Sequence, residues 1–358
     1  MLKILHISPE HYTGTLMTFV RTHRAFGNVS RLITMYPNWC GYEEDINLNL
    51  PLVGNKWYLR ELKKLLSREN PMPSTVLREW NPKGLERLFF RIRDALWRHK
   101  IEKSIADYNL FDFDIYHFHA GVDLFRDARF AIKLKTLGKK IVCHYHGTDL
   151  RNRGVIRAMD ELSDLNLTCE FDHLSLHPNI RYLFLPFDVF QYSEREREND
   201  MLRICHAPTS RFFKGSDVII DICNELEHEG RIEFVLIEGR SHDEAIRLKR
   251  TCDIAIDQIA NLGGLGYGVN SLETLAMGIP TCTNLTTEYE TFLSDHPFIN
   301  VDATNLKEKL EYLIKHEEFR RRKGHEGRVW VERVHAAKSV VQKLYEIYQE
   351  LGWMTRNA

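Results

Sequence analysis

The sequence predicts an α/β fold: two Rossmann-like domains, each a doubly wound parallel sheet, facing a central cleft, with a helical insertion in the first. Three observations carry that reading. Short apolar runs of strand length alternate with helical patterns. The alternation is completed twice along the chain. Between the two sets lie Leu185-Pro186-Phe187-Asp188 and the polar run Ser193 to Glu198, a Pro turn and solvated stretch of the kind that joins domains. The expected division is a first domain over residues 1–188, a second over 189–340 and a final helix over 341–358, for which packing back on the first domain is one placement.

In the first half, Lys3 to Ser8 reads as a buried strand, and the loop His11-Tyr12-Thr13-Gly14-Thr15 opens a helix toward Phe26. Arg31 to Met35 is a second strand. Asp114 to His119 and Lys140 to His146 are two more, joined by a helical pattern from Asp123 to Leu137 that Gly138 closes. Strand, helix, strand with short connections implies right-handed crossovers and a parallel sheet. In the second half, strands are expected at Leu202 to His206, Arg231 to Ile237, Asp253 to Asp257 and Thr281 to Asn284. Helices are expected at Ser216 to His228, Asp243 to Lys249 and Asn270 to Met277, the last stopped by Gly278 before Pro280. Two long charged helices, about 305–322 and 326–351, complete the pattern. Ligands of such sheets bind beyond the carboxyl ends of the strands.

Composition narrows the function classes. With 43% hydrophobic and 28% charged residues the chain is near the globular average, which excludes disorder, collagen-like repeats and a disulfide mini-scaffold. A net charge of −1 supplies no argument for nucleic acid as a partner. Seven scattered cysteines without a C-x-x-C spacing read as reduced, mostly buried thiols in a cytosolic protein. The first apolar run is interrupted by His6, Glu10 and His11, too soon for a signal peptide, and no run of about 18 apolar residues offers a transmembrane helix. A cytoplasmic protein is expected.

The insertion, residues 56–103, carries thirteen Lys/Arg against six Asp/Glu, a local charge of +7 that the rest of the chain cancels. Trp57, Leu62, Leu66, Trp80, Phe89, Ile92 and Trp97 are among the interleaved apolar residues. They suggest two amphipathic helices broken at Asn70-Pro71-Met72-Pro73. Two readings stay open: a peripheral contact with anionic membrane at the inner face, or ordinary packing of the apolar stripes on the first domain.

Two stretches carry chemistry. In His206 to Asp217, Arg211 and Lys214 sit in a loop before a helix start at Ser216, and cations beside free helix N–H groups suit phosphate. In Asp257 to Glu273, glycines occupy a strand-to-helix turn where a backbone can approach a ligand closely. A carboxylate one turn into that helix, Glu273, can accept two hydrogen bonds from a vicinal diol such as ribose, or can simply favour the helix dipole. His117/His119 and His144/His146 are two H-x-H pairs at strand ends, each pair on one face of its strand. Metal ligation, packing and contacts to sugar or acceptor are all open to them, but no Cys, Asp or Glu stands beside them at ligand spacing, and no metal is expected.

The pattern Gly266-Tyr267-Gly268 followed by Leu272-Glu273-Thr274-Leu275-Ala276-Met277-Gly278-Ile279-Pro280 resembles the nucleotide-sugar signature of family 4 glycosyltransferases, which have the GT-B fold. The resemblance extends to Arg211 and Lys214-Gly215, to Lys3 through Ser8 with Gly14, to His117-Phe118-His119 and to His146-Gly147-Thr148-Asp149. It implies that Glu273 holds the donor ribose and that Lys214 with Arg211 neutralises the diphosphate. It implies that Gly14 faces the phosphate and acceptor, that His119 contacts the transferred sugar, and that Gly268, Val269 and Asn270 present backbone groups to the donor. His117, His146 and Asp149 are further contacts to acceptor or sugar. Two departures stand out: Leu265 occupies the place of the family's first Glu, and Arg211 lies three rather than five residues before Lys214.

The activity implied is transfer of a sugar from a nucleoside-diphosphate sugar to a hydroxyl of a glycan or lipid-linked acceptor, with retention of configuration. It needs no cofactor and no metal, because cations and helix ends stabilise the departing diphosphate. The competing readings are a nucleotide-sugar 2-epimerase of similar shape and a non-catalytic binding subunit.

Overall fold

Aliphatic residues on adjacent strands build both sheets, and every strand pairing is parallel. The structure, a computed structural model, describes residues 1–11, 14–38, 41–52, 77–147, 149–195, 200–261 and 264–355. The chain forms two units, Met1–Pro186 with Val341–Ala358, and Phe187–Val340.

Unit 1 contains β1 (Lys3–Ser8), α1 (Thr15–Ala25), β2 (Val29–Thr34), β3 (Ile46–Asn47), α2 (Gly84–Asp107), β4 (Ile115–His119), α3 (Arg129–Thr136), β5 (Lys140–Tyr145), α4 (Arg157–Leu162), β6 (Leu165–Thr168), α5 (His173–Leu176) and β7 (Arg181–Tyr182). Its strands run β3-β2-β1-β4-β5-β6-β7. The order reverses at β1/β4, so the loops after those two strands flank the crevice where a doubly wound sheet binds ligands. Ile4, Leu5 and Ile7 on β1 and Ile141 and Val142 on β5 are fully buried, each worth roughly 1.5–3 kcal/mol. This covering on both faces is what a parallel sheet requires.

Unit 2 contains β8 (Arg203–His206), α6 (Arg211–Lys214), α7 (Ser216–His228), β9 (Glu233–Leu236), α8 (His242–Arg250), β10 (Ile254–Ile256), α9 (Val269–Ala276), β11 (Thr281–Thr283), α10 (Thr287–Leu293), β12 (Ile299–Asn300), α11 (Leu306–Lys315) and α12 (Glu317–Val334). The order is β12-β11-β10-β8-β9, reversing at β8/β10. A final helix, α13 (Ala337–Glu350), starts in unit 2 and lies mostly in unit 1.

Three expectations change. The helix expected from Asp123 begins only at Arg129, because Asp123 caps it from a distance: its Oδ2 accepts the N–H groups of Phe130 (3.1 Å) and Ala131 (3.3 Å) across an intervening loop. The two long terminal helices are three, with breaks at His316 and at His335-Ala336 rather than near Gly324. Gly324 and Gly327 do not interrupt α12; they let it touch α9. A Cβ on Gly324 would stand 2.0 Å from the carbonyl oxygen of Gly278, and one on Gly327 would stand 2.7 Å from Leu275.

The insertion is the third. Its first expected helix falls outside the described residues. The second is α2, which packs Trp97 and Ile101 into the core of unit 1 and stacks Arg93 on Phe90 and Trp97. Its opposite side carries Leu85, Leu88, Ile92 and Leu96, each more than half exposed. The helix is therefore apolar on two sides. Among the described residues no helix is long and apolar enough to cross a membrane.

The contact between Gly324 and Gly278 is testable. Gly324→Ala should lower unfolding stability by about 1–3 kcal/mol through overpacking, measured by urea denaturation. A change within about 0.5 kcal/mol would show that α12 can move off the turn at no cost.

Candidate functional site

The best-organised polar cluster of unit 2 lies at the carboxyl ends of β8 and β10, where strand order reverses. Asp257, the residue after β10, has no exposed side-chain surface. Its carboxylate accepts from Lys214 Nζ (2.7 Å), Asn270 Nδ2 (3.0 Å) and Ser271 Oγ (2.6 Å). Burial pushes its pKa up, but the Lys214 charge and these three hydrogen bonds outweigh that and hold the carboxyl below its ordinary value. Lys214 also donates to Gln258 Oε1 (2.9 Å), and Gln258 Nε2 donates to the carbonyl of Gly264 (3.2 Å). One carboxylate thus ties the end of α6, the start of α9 and the glycine-rich turn together.

The local backbone explains how Lys214 reaches that place. Gly215 has φ +69° and ends α6 while starting α7, and a Cβ there would lie 2.8 Å from Ile259. Only glycine combines that left-handed turn with so close an approach. His206 Nδ1–H donates to the carbonyl of Ile256 (2.9 Å), so its Nε2 accepts from the Ser216 hydroxyl (2.7 Å) and pins the first residue of α7. Gly268 stands extended at the N-cap of α9, and Val269 and Asn270 open its first turn, whose N–H groups have no partner within the helix.

Two sequence-predicted residues sit apart from Lys214. Arg211 lies on the same four-residue helix but makes a two-pronged pair with Glu238 (2.8 and 2.5 Å) at the surface. Glu273 is buried, ion-paired with Lys249, with its second oxygen 3.7 Å from the half-exposed His242. Sequence reasoning missed Asp257 and Lys249. The signal for Asp257 was a lone carboxylate ending an apolar strand run; Lys249 reads as one more cation on an exposed helix.

In unit 1, Gly14 takes φ +74° at the N-cap of α1, beside His11, whose Nδ1–H donates to Glu43 O (2.9 Å) and whose Nε2 accepts from Met17 N (3.3 Å). Register places His6 beside His117 and His119 beside His144, all on one face of the sheet. His117 has no exposed surface, and its Nε2 bonds the hydroxyl of Tyr348 on α13. His119 is equally buried, with Nε2 3.0 Å from His6 Nδ1 and Nδ1 2.9 Å from His146 Nε2. Of the expected sugar-contacting histidines only His146 reaches the surface. Its backbone N–H donates to Asp149 Oδ2 (2.8 Å), and burial lifts the Asp149 pKa above its ordinary value. Burial drives His6, His117, His119 and His144 well below the usual imidazole range and brings His23 and His146 down to about 3. The cluster is neutral.

No family profile and no curated protein matches this sequence. Solved structures do match over nearly the whole chain. Sucrose-phosphate synthase from Thermosynechococcus elongatus is 9% identical with a TM-score of 0.63, over 99% of this chain and 100% of that one. Anabaena HepE in complex with UDP is 12% identical with a TM-score of 0.58, over 98% and 100%, and its complex with UDP-glucose scores 0.54 at 12% identity. S. aureus TarM, in a complex containing UDP, is 9% identical with a TM-score of 0.58, over 97% and 100%. At such identities the likeness is one of fold, and it shows the GT-B class.

Removing the ammonium from the Asp257 cluster should be costly. Lys214→Met strands a buried carboxylate and should destabilise the protein by about 3–5 kcal/mol near neutral pH. The depressed Asp257 pKa stabilises the fold above its unfolded value of 3.8, and that contribution is lost as pH falls through the folded value. In the variant the carboxyl takes up a proton more readily, so its deficit against the parent should shrink in acid. Urea unfolding at about pH 7 and about pH 4 checks both the size and the sign.

Proposed function

We propose that this protein is a glycosyltransferase that moves a sugar from a nucleoside-diphosphate sugar to an acceptor hydroxyl of a glycan or lipid-linked molecule, with retention of configuration. The observation that carries the reading is the Lys214–Asp257 pair at the strand-order reversal of unit 2, beside the first turn of α9. Lys214 uses two of its three donors on Asp257 and Gln258, leaving a third for a phosphate oxygen. The HepE and TarM structures, which share the fold, hold UDP.

The roles follow from chemistry. Charge develops on the diphosphate as the bond to the sugar breaks, and a fixed ammonium with helix N–H groups stabilises it without reorganising. Asp257 is a positioning residue: it aims Lys214 and Asn270 at one point. Glu273 is assigned to the ribose diol, held in place by its ion pair with Lys249. Arg211 would assist only after leaving Glu238. Gly14, His146 and Asp149 are the acceptor-side contacts, and His119 acts through His146. A phosphate oxygen of the donor receives the acceptor proton on the face from which the diphosphate leaves, which retains configuration. The outer side of α2, with Leu85, Leu88, Ile92 and Leu96 flanked by Arg87, Arg91 and Arg98, is assigned to an anionic membrane surface at which a lipid-linked acceptor is met.

Two measurements test this. A panel of nucleoside-diphosphate sugars should reveal one that raises the unfolding temperature and, with acceptor, releases nucleotide. The Lys214→Gln/Asp257→Asn pair, which removes the ammonium without stranding a carboxylate, should lower kcat/KM by roughly 10²–10³-fold. Donor binding without turnover would point to a binding subunit, and sugar inversion without acceptor to an epimerase. For the membrane, flotation with anionic vesicles should fall with added salt and with Leu88→Ser/Ile92→Ser; flotation indifferent to both would remove α2 as the contact.

A further inference from the structure

The buried histidines of unit 1 hold an unpaid hydrogen-bond account. Among the described residues, His6 Nε2, His23 Nε2, His117 Nδ1 and both ring nitrogens of His144 are buried without a partner. Each such group is costly, and native interiors carry few of them. A neutral imidazole has one donor and one acceptor, so packed imidazoles can share only some of their bonds. A cation that accepts a lone pair would relieve that shortage at His144.

We propose that His119, His144 and His146 hold a divalent transition-metal ion. The three offer one ring nitrogen apiece, all within 4.8 Å of one another. They come from rigid places: His119 ends β4, His144 pairs with it on β5, and His146 lies two residues further on. His119 Nδ1 and His146 Nε2 are already 2.9 Å apart, where two nitrogens on one tetrahedral zinc stand about 3.3 Å apart. His144, only 1% exposed, has no hydrogen bond to give up on ligation. The outer nitrogens have partners of their own: His119 Nε2 meets His6 Nδ1 at 3.0 Å, and His146 Nδ1 lies 3.6 Å from Cys169 Sγ, so both rings are held in orientation, though by an imidazole and a thiol rather than the more usual carboxylate or carbonyl. An imidazole set selects zinc, copper, nickel or cobalt over magnesium or calcium. Three protein ligands leave a fourth position for water.

A second triad, His6, His117 and His119, meets the same distance limit. It is wholly buried and has His117 Nε2 engaged by Tyr348, so it has no entry path and one nitrogen fewer to offer. The partly exposed His146 gives the first triad its way in. The sequence expectation of no metal rested on the lack of ligand spacing along the chain; the ligands meet across strands. The proposal is independent of the donor reading, since no residue of unit 2 takes part.

The test uses the whole chain, stripped with chelator and titrated calorimetrically with zinc(II), then optically with cobalt(II). One saturable equivalent, the visible bands of tetrahedral cobalt and a raised unfolding temperature are expected. His144→Ala and His146→Ala should each lose the bands, Cys169→Ala should weaken binding by roughly tenfold, and His117→Gln should keep it. Circular dichroism of each apo variant establishes folding, and His146→Ala, at the more exposed of the two positions, carries the test if His144→Ala does not fold. No saturable equivalent in the parent, or binding that survives His146→Ala but not His117→Gln, overturns the assignment.

Discussion

A carboxylate with no water around it must be surrounded by donors, and Asp257 makes that demand where the strand order of unit 2 reverses. Two different segments answer it. Lys214 arrives through the left-handed turn at Gly215, and Asn270 and Ser271 arrive as the first turn of α9. None of these groups would otherwise have reason to converge: a lysine in a loop prefers solvent, and a helix start is satisfied by water. The site therefore inherits its geometry from an electrostatic necessity within the protein, and a ligand phosphate meets donors already in place.

Much of this was legible in the residues, and the reason is local. The helix expected at Ser216 to His228 is α7 to the residue, because glycines stand at both of its ends. Lys214 could be singled out because it precedes one of them. Where glycine served packing, the expected break was not there: Gly324 falls in the gap between the two expected terminal helices and is a contact surface within α12. Asp123 reads as the first residue of a helix and is instead its remote cap. β3, β7 and β12 are two residues long and too short to show a period. Asp257 looked like an ordinary strand end, since its meaning lies in partners 13, 14 and 43 positions away. The H-x-H pairs were visible; their burial, and their neighbours His6, His23 and Tyr348, were not, because those are brought in by the sheet and by α13.

The two units bury different polar groups. Unit 2 buries charge and balances it, as Lys214 with Asp257 and Lys249 with Glu273. Unit 1 buries imidazoles that its apolar surroundings hold neutral, stacked with one another and with Phe19. Charge pairs fix direction strongly and tolerate little substitution. Stacked neutral rings fix shape and leave lone pairs unspent.

Unit 1 is assembled from both ends of the described chain, since its sheet precedes unit 2 and the tyrosines of α13 follow it. Tyr345 bonds His23 (2.6 Å) and Asn28 (2.8 Å), and Tyr348 bonds His117. On a ribosome those partners emerge more than two hundred residues apart. The sheet of unit 1 must wait, with His23 and His117 lacking their tyrosine partners, while the whole of unit 2 is made. Unit 2 is continuous in sequence and can close first. The first half to be synthesised is thus the last to be finished, and the interval is one in which a cation or a chaperone has free access to those histidines.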